Sequence, residues 1–392
     1  MSINWSGRGH LYTEEEIAVV GDVMRNADPL TQGKYLQAFE RDFGRVIGCA
    51  RCFALTNCAH ALELAAILSR VGPGDEVICP AHTYCASAIP FARAGASLVW
   101  ADISPDTFLV TLESIKEIVT ARTKVIVVVH LYGMICSDIR EIAEFAKSRR
   151  ILLVEDCAHA LGATLHGQAG GTFGDFGTFS FHAQKNVTTL GEGGMLVVRS
   201  GDHAKLVPGL RHNGHCCFAN QKDYWVPAMA NVEQDIPGVW PHNYSLGEAQ
   251  AALGSALLGR LPELTRQRRE RALSFRAALQ GYPELRFQRI ESESQHSHHL
   301  LVAKYVASKQ GRSRDDLIRL LFTKYGIKTI VQYYPLYRYE LFRKTGFGVA
   351  NCPQTDDFFD NMISFPAHGW MSADHFNYLI ASVREALGTL RQ

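Results

Sequence analysis

The segments "KVIVVVH" (residues 124–130) and "ILLVED" (151–156) constrain this chain most. Each is apolar at nearly every position, so a strand built from either must be covered on both faces. Strands of that kind belong to parallel sheets with helices on each side, because a sheet with one wet face alternates apolar and polar residues instead. The surrounding sequence supplies the helices. "RCFALT" (51–56) reads as a strand, and "CAHALELAAILSRV" (58–71) as a helix with Asn57 at its N-cap. "GPGDEVICP" (72–80) is a turn and short strand, and "SLVWADI" (97–103) is a further strand. "TLESIKEIV" (111–119) and "DIREIAEFAKSRR" (138–150) are helical. The pattern predicts an α/β fold, with a large domain whose mostly parallel sheet is flanked by helices. Ligands of such sheets bind beyond the carboxyl ends of the strands. Residues just after "ALT", "VIC", "LLVE" and "TFSF" are therefore the ones to examine.

The character changes near residue 245. "SLGEAQAALGSALLGRLPELTRQRRERALSFRAALQ" (245–280) reads as a long helix. Strand-like "HHLLVAKYVA" (298–307) follows, then the helices "RDDLIRLLFTKYG" (314–326) and "SADHFNYLIASVREALGTL" (372–390). The expected division is a large domain with N-terminal helices over residues 1–244 and a smaller C-terminal α+β domain over 245–392.

Charge and cysteine usage exclude several classes. Forty basic residues face 39 acidic ones, and no basic block suggests a nucleic-acid partner. The opening "MSINWSGRGHLYTEEE" lacks the apolar core of a signal peptide. The longest apolar run, "VIVVVHLYGMI", is broken by His130 and falls short of the roughly 18 residues a membrane span needs. A cytoplasmic protein with no membrane partner is expected. The ten cysteines are scattered through apolar segments, which fits free thiols in a reducing compartment. "CARC" (49–52) is formally CxxC, but no second pair follows at zinc-site spacing, so core thiols are the plainer reading. "HSHH" (296–299) runs into a strand-like segment with no further ligand cluster, and no metal is expected.

Lys185 stands out in "FSFHAQKNVTTLGEGGML" (179–196), between an apolar strand and a glycine-rich turn. Asp156 ends the strand "ILLVED", 29 residues earlier. An acid at one strand end and a lysine just past a neighbouring strand suit pyridoxal phosphate (PLP). The lysine forms a Schiff base with the aldehyde, and the acid keeps the pyridine nitrogen protonated so that the ring can accept electrons. The phosphate needs its own cradle. Cys58, Ala59 and His60 sit at a strand-to-helix turn, where free N–H groups bind anions, and Ser180 offers a hydroxyl. The turn "GEGG" (191–194) permits close backbone approach. Tyr84, after the "VIC" strand, could lie flat against a ring.

These stretches together resemble the DegT/DnrJ/StrS family of sugar aminotransferases, in the fold-type I class of PLP enzymes. The matching segments are "LTQGKYLQAFERDF", "TNCAHALELA", "GDEVICPAHTYCAS", "VEDCAHALGA", "GDFGTFSFHAQKNVTTLGEGG", "NYSLGEAQAALG" and "SFPAH", in family order over nearly the whole chain. The resemblance implies that Lys185 is the Schiff-base lysine and Asp156 the pyridine-nitrogen acid. It places His159 near the ring hydroxyl and Tyr84 in the stacking position. Ser180 and the amides of Ala59 and His60 fall on the phosphate cradle. Asn243 matches an asparagine that reaches a phosphate across the interface of a homodimer. The expected reaction moves an amino group from glutamate or glutamine to a keto sugar, carried on a nucleotide. Amination of a keto-cyclitol is an alternative. A deoxysugar dehydratase is another, but in that branch a histidine replaces the lysine. A non-catalytic PLP-binding regulatory protein is the reading from outside the class. The family often has "SGT" where this chain has Asn57-Cys58-Ala59, so one hydroxyl is missing at Ala59. "RHNGHCC" (211–217) and "AMANVEQDIPGVWPHN" (228–243) are less familiar and lie where specificity is usually set.

Overall fold

A computed structural model of the chain describes residues 1–214, 238–306 and 311–391. Its strands in chain order are β1 (Cys52–Leu55), β2 (Glu76–Pro80), β3 (Ser97–Ala101), β4 (Thr123–Val129), β5 (Leu152–Asp156), β6 (Thr164–Leu165) and β7 (Gln168–Ala169). They continue with β8 (Phe176–Ser180), β9 (Gly194–Val198), β10 (Leu285–Phe287), β11 (Ser294–Gln295), β12 (Leu301–Tyr305) and β13 (Met362–Phe365). The helices are α1 (Glu14–Asn26), α2 (Lys34–Ile47), α3 (Cys58–Leu68), α4 (Ile89–Arg93), α5 (Leu112–Lys116) and α6 (Ile139–Arg149). After them come α7 (Gly201–Arg211), α8 (Glu248–Ala278), α9 (Arg314–Tyr325), α10 (Glu340–Lys344), α11 (Pro353–Asn361) and α12 (Ala373–Leu390).

The main sheet has the order β1-β9-β8-β5-β4-β2-β3. Strands β3, β2, β4, β5 and β8 pair in parallel. Strand β9 pairs antiparallel with both β8 and β1. Six strands therefore point one way, and β9 starts where they end. This arrangement brings the segments after β1, β2, β4, β5 and β8 to a single edge. Strands β2 and β9 are buried at every position, as the apolar runs require of a sheet covered on both faces.

Helices α1 and α2 each pack against α8 beside this sheet. Helix α2 starts at Gly33, which has no side chain to cap it. Glu248 supplies the cap from α8: its carboxylate accepts from the N–H groups of Gly33 (2.9 Å), Tyr35 (2.8 Å) and Leu36 (3.3 Å). A carboxylate at that end also complements the helix dipole. The rings of Phe39 and Phe43 on α2 meet Phe181 and Phe179 at 5.0 and 4.9 Å. Fully burying one such ring contributes roughly 1.5–3 kcal/mol of transfer free energy. Gly254 lets α8 come close, since a Cβ there would stand 2.6 Å from the Phe39 ring.

A second sheet, β10-β12-β13, is antiparallel. It shares a smaller core with α9, α12 and the last turns of α8. Helix α8 spans both cores: Leu253, Leu257 and Leu261 lie in the larger, Ala272 and Phe275 in the smaller. Ile3 also lies in the smaller core and bridges to Ile327. Among the described residues, no helix is long and apolar enough to cross a membrane.

One local expectation fails. His296, His298 and His299 are not on a strand, since β12 begins at Leu301. They form a buried loop that docks on Gly133 through the Ser297 N–H (2.8 Å). His296 Nε2 pairs with Gln288 Oε1 at 3.0 Å, and His299 Nδ1 with Asn186 Oδ1 at 3.3 Å. The His298 ring lies against that of His296, with centroids 4.2 Å apart.

Candidate active site

The site lies along the edge where the parallel strands end. Asp156 is the last residue of β5 and is 4% exposed. Its Oδ2 accepts from the Ser87 hydroxyl at 2.7 Å and its Oδ1 from the Ala158 N–H at 3.0 Å. Burial pushes its carboxyl pKa above the ordinary value, while those two donors and the nearby Lys185 pull it back down. The preceding residue, Glu155, points to the other face, as the pleat requires. It accepts from the N–H groups of Gly171 (2.8 Å), Phe173 (2.7 Å) and Gly174 (2.6 Å), and pairs with His130 Nε2 at 2.8 Å. His130, Glu155 and Cys157 are close enough to suggest a metal site. The Glu155 oxygens are already filled by these donors, so the cluster is a structural node.

Lys185 follows β8 on a turn closed by its own N–H donating to the His182 carbonyl (2.8 Å). Its ammonium makes no hydrogen bond among the described residues. Burial pulls its pKa down to about 8, opposed by the fields of Cys58, Asp156 and Glu192. The segment Trp5–Gly9 covers this turn. Gln184 donates to the Ser6 carbonyl (2.9 Å), and the Gly9 N–H donates to Ala183 (2.8 Å). A Cβ on Gly9 would stand 2.2 Å from the Lys185 carbonyl, so no larger residue fits there. The buried Arg268 donates to the carbonyls of Gly9 (2.7 Å) and His299 (3.3 Å). With Trp5, Arg8, Tyr333 and His368, these residues wall a cavity at Lys185.

Asn57 caps α3, its side chain accepting from the His60 N–H at 2.8 Å. The His60 amide is thereby engaged. The N–H groups of Cys58 and Ala59 have no partner within the helix and none elsewhere among the described residues. Gly194, at the start of β9, packs beneath this turn; a Cβ there would stand 2.6 Å from the Cys58 nitrogen. The His60 ring stacks on Tyr244 (3.8 Å, 8°), which stacks on His242 (4.7 Å, 15°). Ser180 ends β8, and its Oγ accepts from the His182 N–H at 3.3 Å.

His159 is buried. Its Nδ1 accepts from the Tyr132 N–H (3.2 Å), and its Nε2 meets the Tyr333 hydroxyl (3.1 Å). Because Nδ1 accepts an N–H, the neutral ring carries its proton on Nε2 and donates to Tyr333. Burial holds its pKa well below the usual histidine range, so the ring is neutral. Tyr84 is 56% exposed, with its ring tilted against Tyr333 at 5.7 Å. Asn243 is exposed. It is not the cap of α8, since that position belongs to Gly247.

The sequence reading missed Ser87, Tyr333, Arg268 and the covering segment Trp5–Gly9. It singled out "RHNGHCC" and "AMANVEQDIPGVWPHN", but residues 215–237 lie outside the described part. The donor set fits PLP on four observations. A buried carboxylate faces no cation at hydrogen-bond distance. A lysine amine is unpaired. Two helix-terminal N–H groups have no acceptor. An aromatic ring is exposed on the same edge.

Fold and site together define a fold-type I PLP enzyme. Residues 11–384 match the model of the DegT/DnrJ/EryC1/StrS aminotransferase family, and the chain belongs to that family. It is similar to the spore coat polysaccharide biosynthesis protein SpsC of Bacillus subtilis (strain 168), with 31% identity over 96% of this chain and 95% of that protein. A GDP-perosamine synthase of Caulobacter vibrioides is 35% identical over 70% of this chain and 67% of its own. Spr1654 of Streptococcus pneumoniae, solved in its PMP-form, matches with a TM-score of 0.88 at 30% identity, over 99% of this chain and 100% of that one. The chain is thus a PLP-dependent aminotransferase.

Proposed function

We propose that the chain transfers an amino group from glutamate or glutamine to a nucleotide-linked 3- or 4-keto sugar. The unpaired Lys185 amine, on one strand edge with the buried Asp156, carries this reading. A relative named GDP-perosamine synthase supports the sugar acceptor. When bound, the cofactor supplies an electron sink for the substrate carbon. Lys185 would hold it covalently at rest, then take and return the proton at that carbon through Nζ. An amine with a pKa of about 8 can do both near neutral pH. Asp156 would keep a proton on the ring nitrogen, and Ser87 and Ala158 orient its carboxylate for that task. Ser180 and the amides of Cys58 and Ala59 would bind the phosphate, with His60 completing the turn. Tyr84 would cover one ring face, and His159 would stand by the ring hydroxyl. Asn243 would serve the second subunit of a homodimer. The eight cysteines among the described residues are all free, in keeping with a cytoplasmic enzyme.

The test is a panel of nucleotide-linked 3-keto and 4-keto sugars and keto-cyclitols, each with glutamate or glutamine, read by product mass. Amination of a keto sugar is expected. Amination of cyclitols alone would reject the sugar assignment.

A further inference from the structure

The motif Cys49-Ala50-Arg51-Cys52 lies outside the site just described. Helix α2 ends at Gly48, whose φ of 74° turns the chain back on itself. Gly44 allows the turn to close, because a Cβ there would stand 2.5 Å from the Cys49 carbonyl. The Cys49 N–H donates to the Gly44 carbonyl at 3.0 Å. Cys52 then starts β1, with its Sγ 3.1 Å from the Cys49 carbonyl.

The environments of the two sulfurs differ. Cys52 is 4% exposed, whereas Cys49 is half-buried, and both border a cavity of 630 Å³. Arg41, Arg45 and Arg51 line that cavity. Arg51 is anchored by donating to the carbonyls of Val198 (3.0 Å) and Arg199. The neighbouring Cys52 and the N–H and charge of Arg51 bring the Cys49 thiol down to about 6 against the pull of burial, while Cys52 is pushed up. One sulfur is thus open and its partner closed, beside a hollow lined by three arginines.

We propose that Cys49 and Cys52 form a dithiol site that exchanges with anionic low-molecular-weight disulfides. The Cys49 thiolate attacks one sulfur of the small disulfide, whose S–S bond breaks, and half leaves as a thiolate. Cys52 gives its proton to solvent and attacks Cys49 Sγ in the mixed disulfide. The second half leaves as a thiolate, and a Cys49–Cys52 bond forms. Two electrons pass to the small disulfide, which ends as two thiols.

The test treats the PLP-loaded enzyme with oxidised glutathione and maps peptides by mass. The peptide holding both cysteines should lose two hydrogens, and dithiothreitol should restore them. Cys52→Ser should trap one glutathione on Cys49, with at least about tenfold more adduct than on Cys85, whose pKa burial raises. Cys49→Ser should leave position 52 unmodified. No internal disulfide in the wild-type enzyme, or equal adduct on Cys49 and Cys85, would overturn the proposal. The wild-type arm stands whether or not the variants fold.

Discussion

Ser87 donates its hydroxyl to Asp156 across 2.7 Å, and both side chains are buried. A hydrogen bond to a charged group contributes roughly 1.5–3 kcal/mol. It favours the ionised carboxylate, so Ser87→Ala should raise the Asp156 pKa further. The acid limb of the kcat/KM profile should move to higher pH. An unmoved limb would mean that Asp156 does not control the profile.

Asp156→Asn should separate chemistry from stability. Burial raises the folded-state pKa of Asp156, so the folded apoenzyme binds that proton more tightly than the unfolded chain. This contribution favours the fold as pH falls through the raised pKa and opposes it above. At pH 7 the apo variant should therefore melt no lower than the apo wild type, and its advantage should shrink in acid. Transamination should fall by about 10²-fold or more. Thermal melts and half-reaction rates check the two claims separately.

Lys185 has the opposite sign. Its amine titrates near 8 in the fold against an ordinary value of 10.5. Between those values the unfolded chain holds the proton and the fold does not, so apoenzyme stability should rise as pH climbs through that window. Apo Lys185→Met should lack this gain. Parallel melting curves for the two proteins would contradict the shifted amine. Borohydride should also fix the cofactor to the peptide containing Lys185 in the wild type, and to no peptide in the variant.

Ala59→Thr should tighten the cofactor. It adds a hydroxyl beside an amide that has no acceptor, on a helix start that already holds its geometry through Asn57. One neutral hydrogen bond contributes about 0.5–1.5 kcal/mol, or roughly two- to tenfold in affinity. Equilibrium dialysis of PLP would register it, and weaker binding would place the phosphate elsewhere.

Lys185→Ala and Asn243→Ala should complement each other if sites are shared between subunits. Each homodimer should be impaired. A reassembled heterodimer would contain one site with both lesions and one with neither, and activity should return towards half. If heterodimers form and activity does not return, Asn243 acts within its own chain.

The strand-end positions of Asp156 and Lys185 were legible because strand signals are local. Glycines 191, 193 and 194 were legible for the same reason, and Gly194 does pack against the turn at Asn57. Ser87 was not, because it sits on a 3-10 turn (Cys85–Ser87) whose direction depends on how β2 lies against β4. Tyr333 was further out of reach, being 174 residues from His159. The histidines at 296–299 were misread because their alternation mimics a strand. Packing over Gly133 holds the backbone in a loop instead, with His298 at a φ of 48°.

Residues 3 to 9 form a leash. Ile3 is fixed in the smaller core beside Ile327, and Gly9 is fixed to the turn that carries Lys185. Six steps of chain reach at most about 20 Å when fully drawn out. A movement of the smaller core that outruns this reach would pull on the backbone beside the lysine. Proteolytic cutting between Ile3 and Gly9 would remove that mechanical tie and leave both cores otherwise whole.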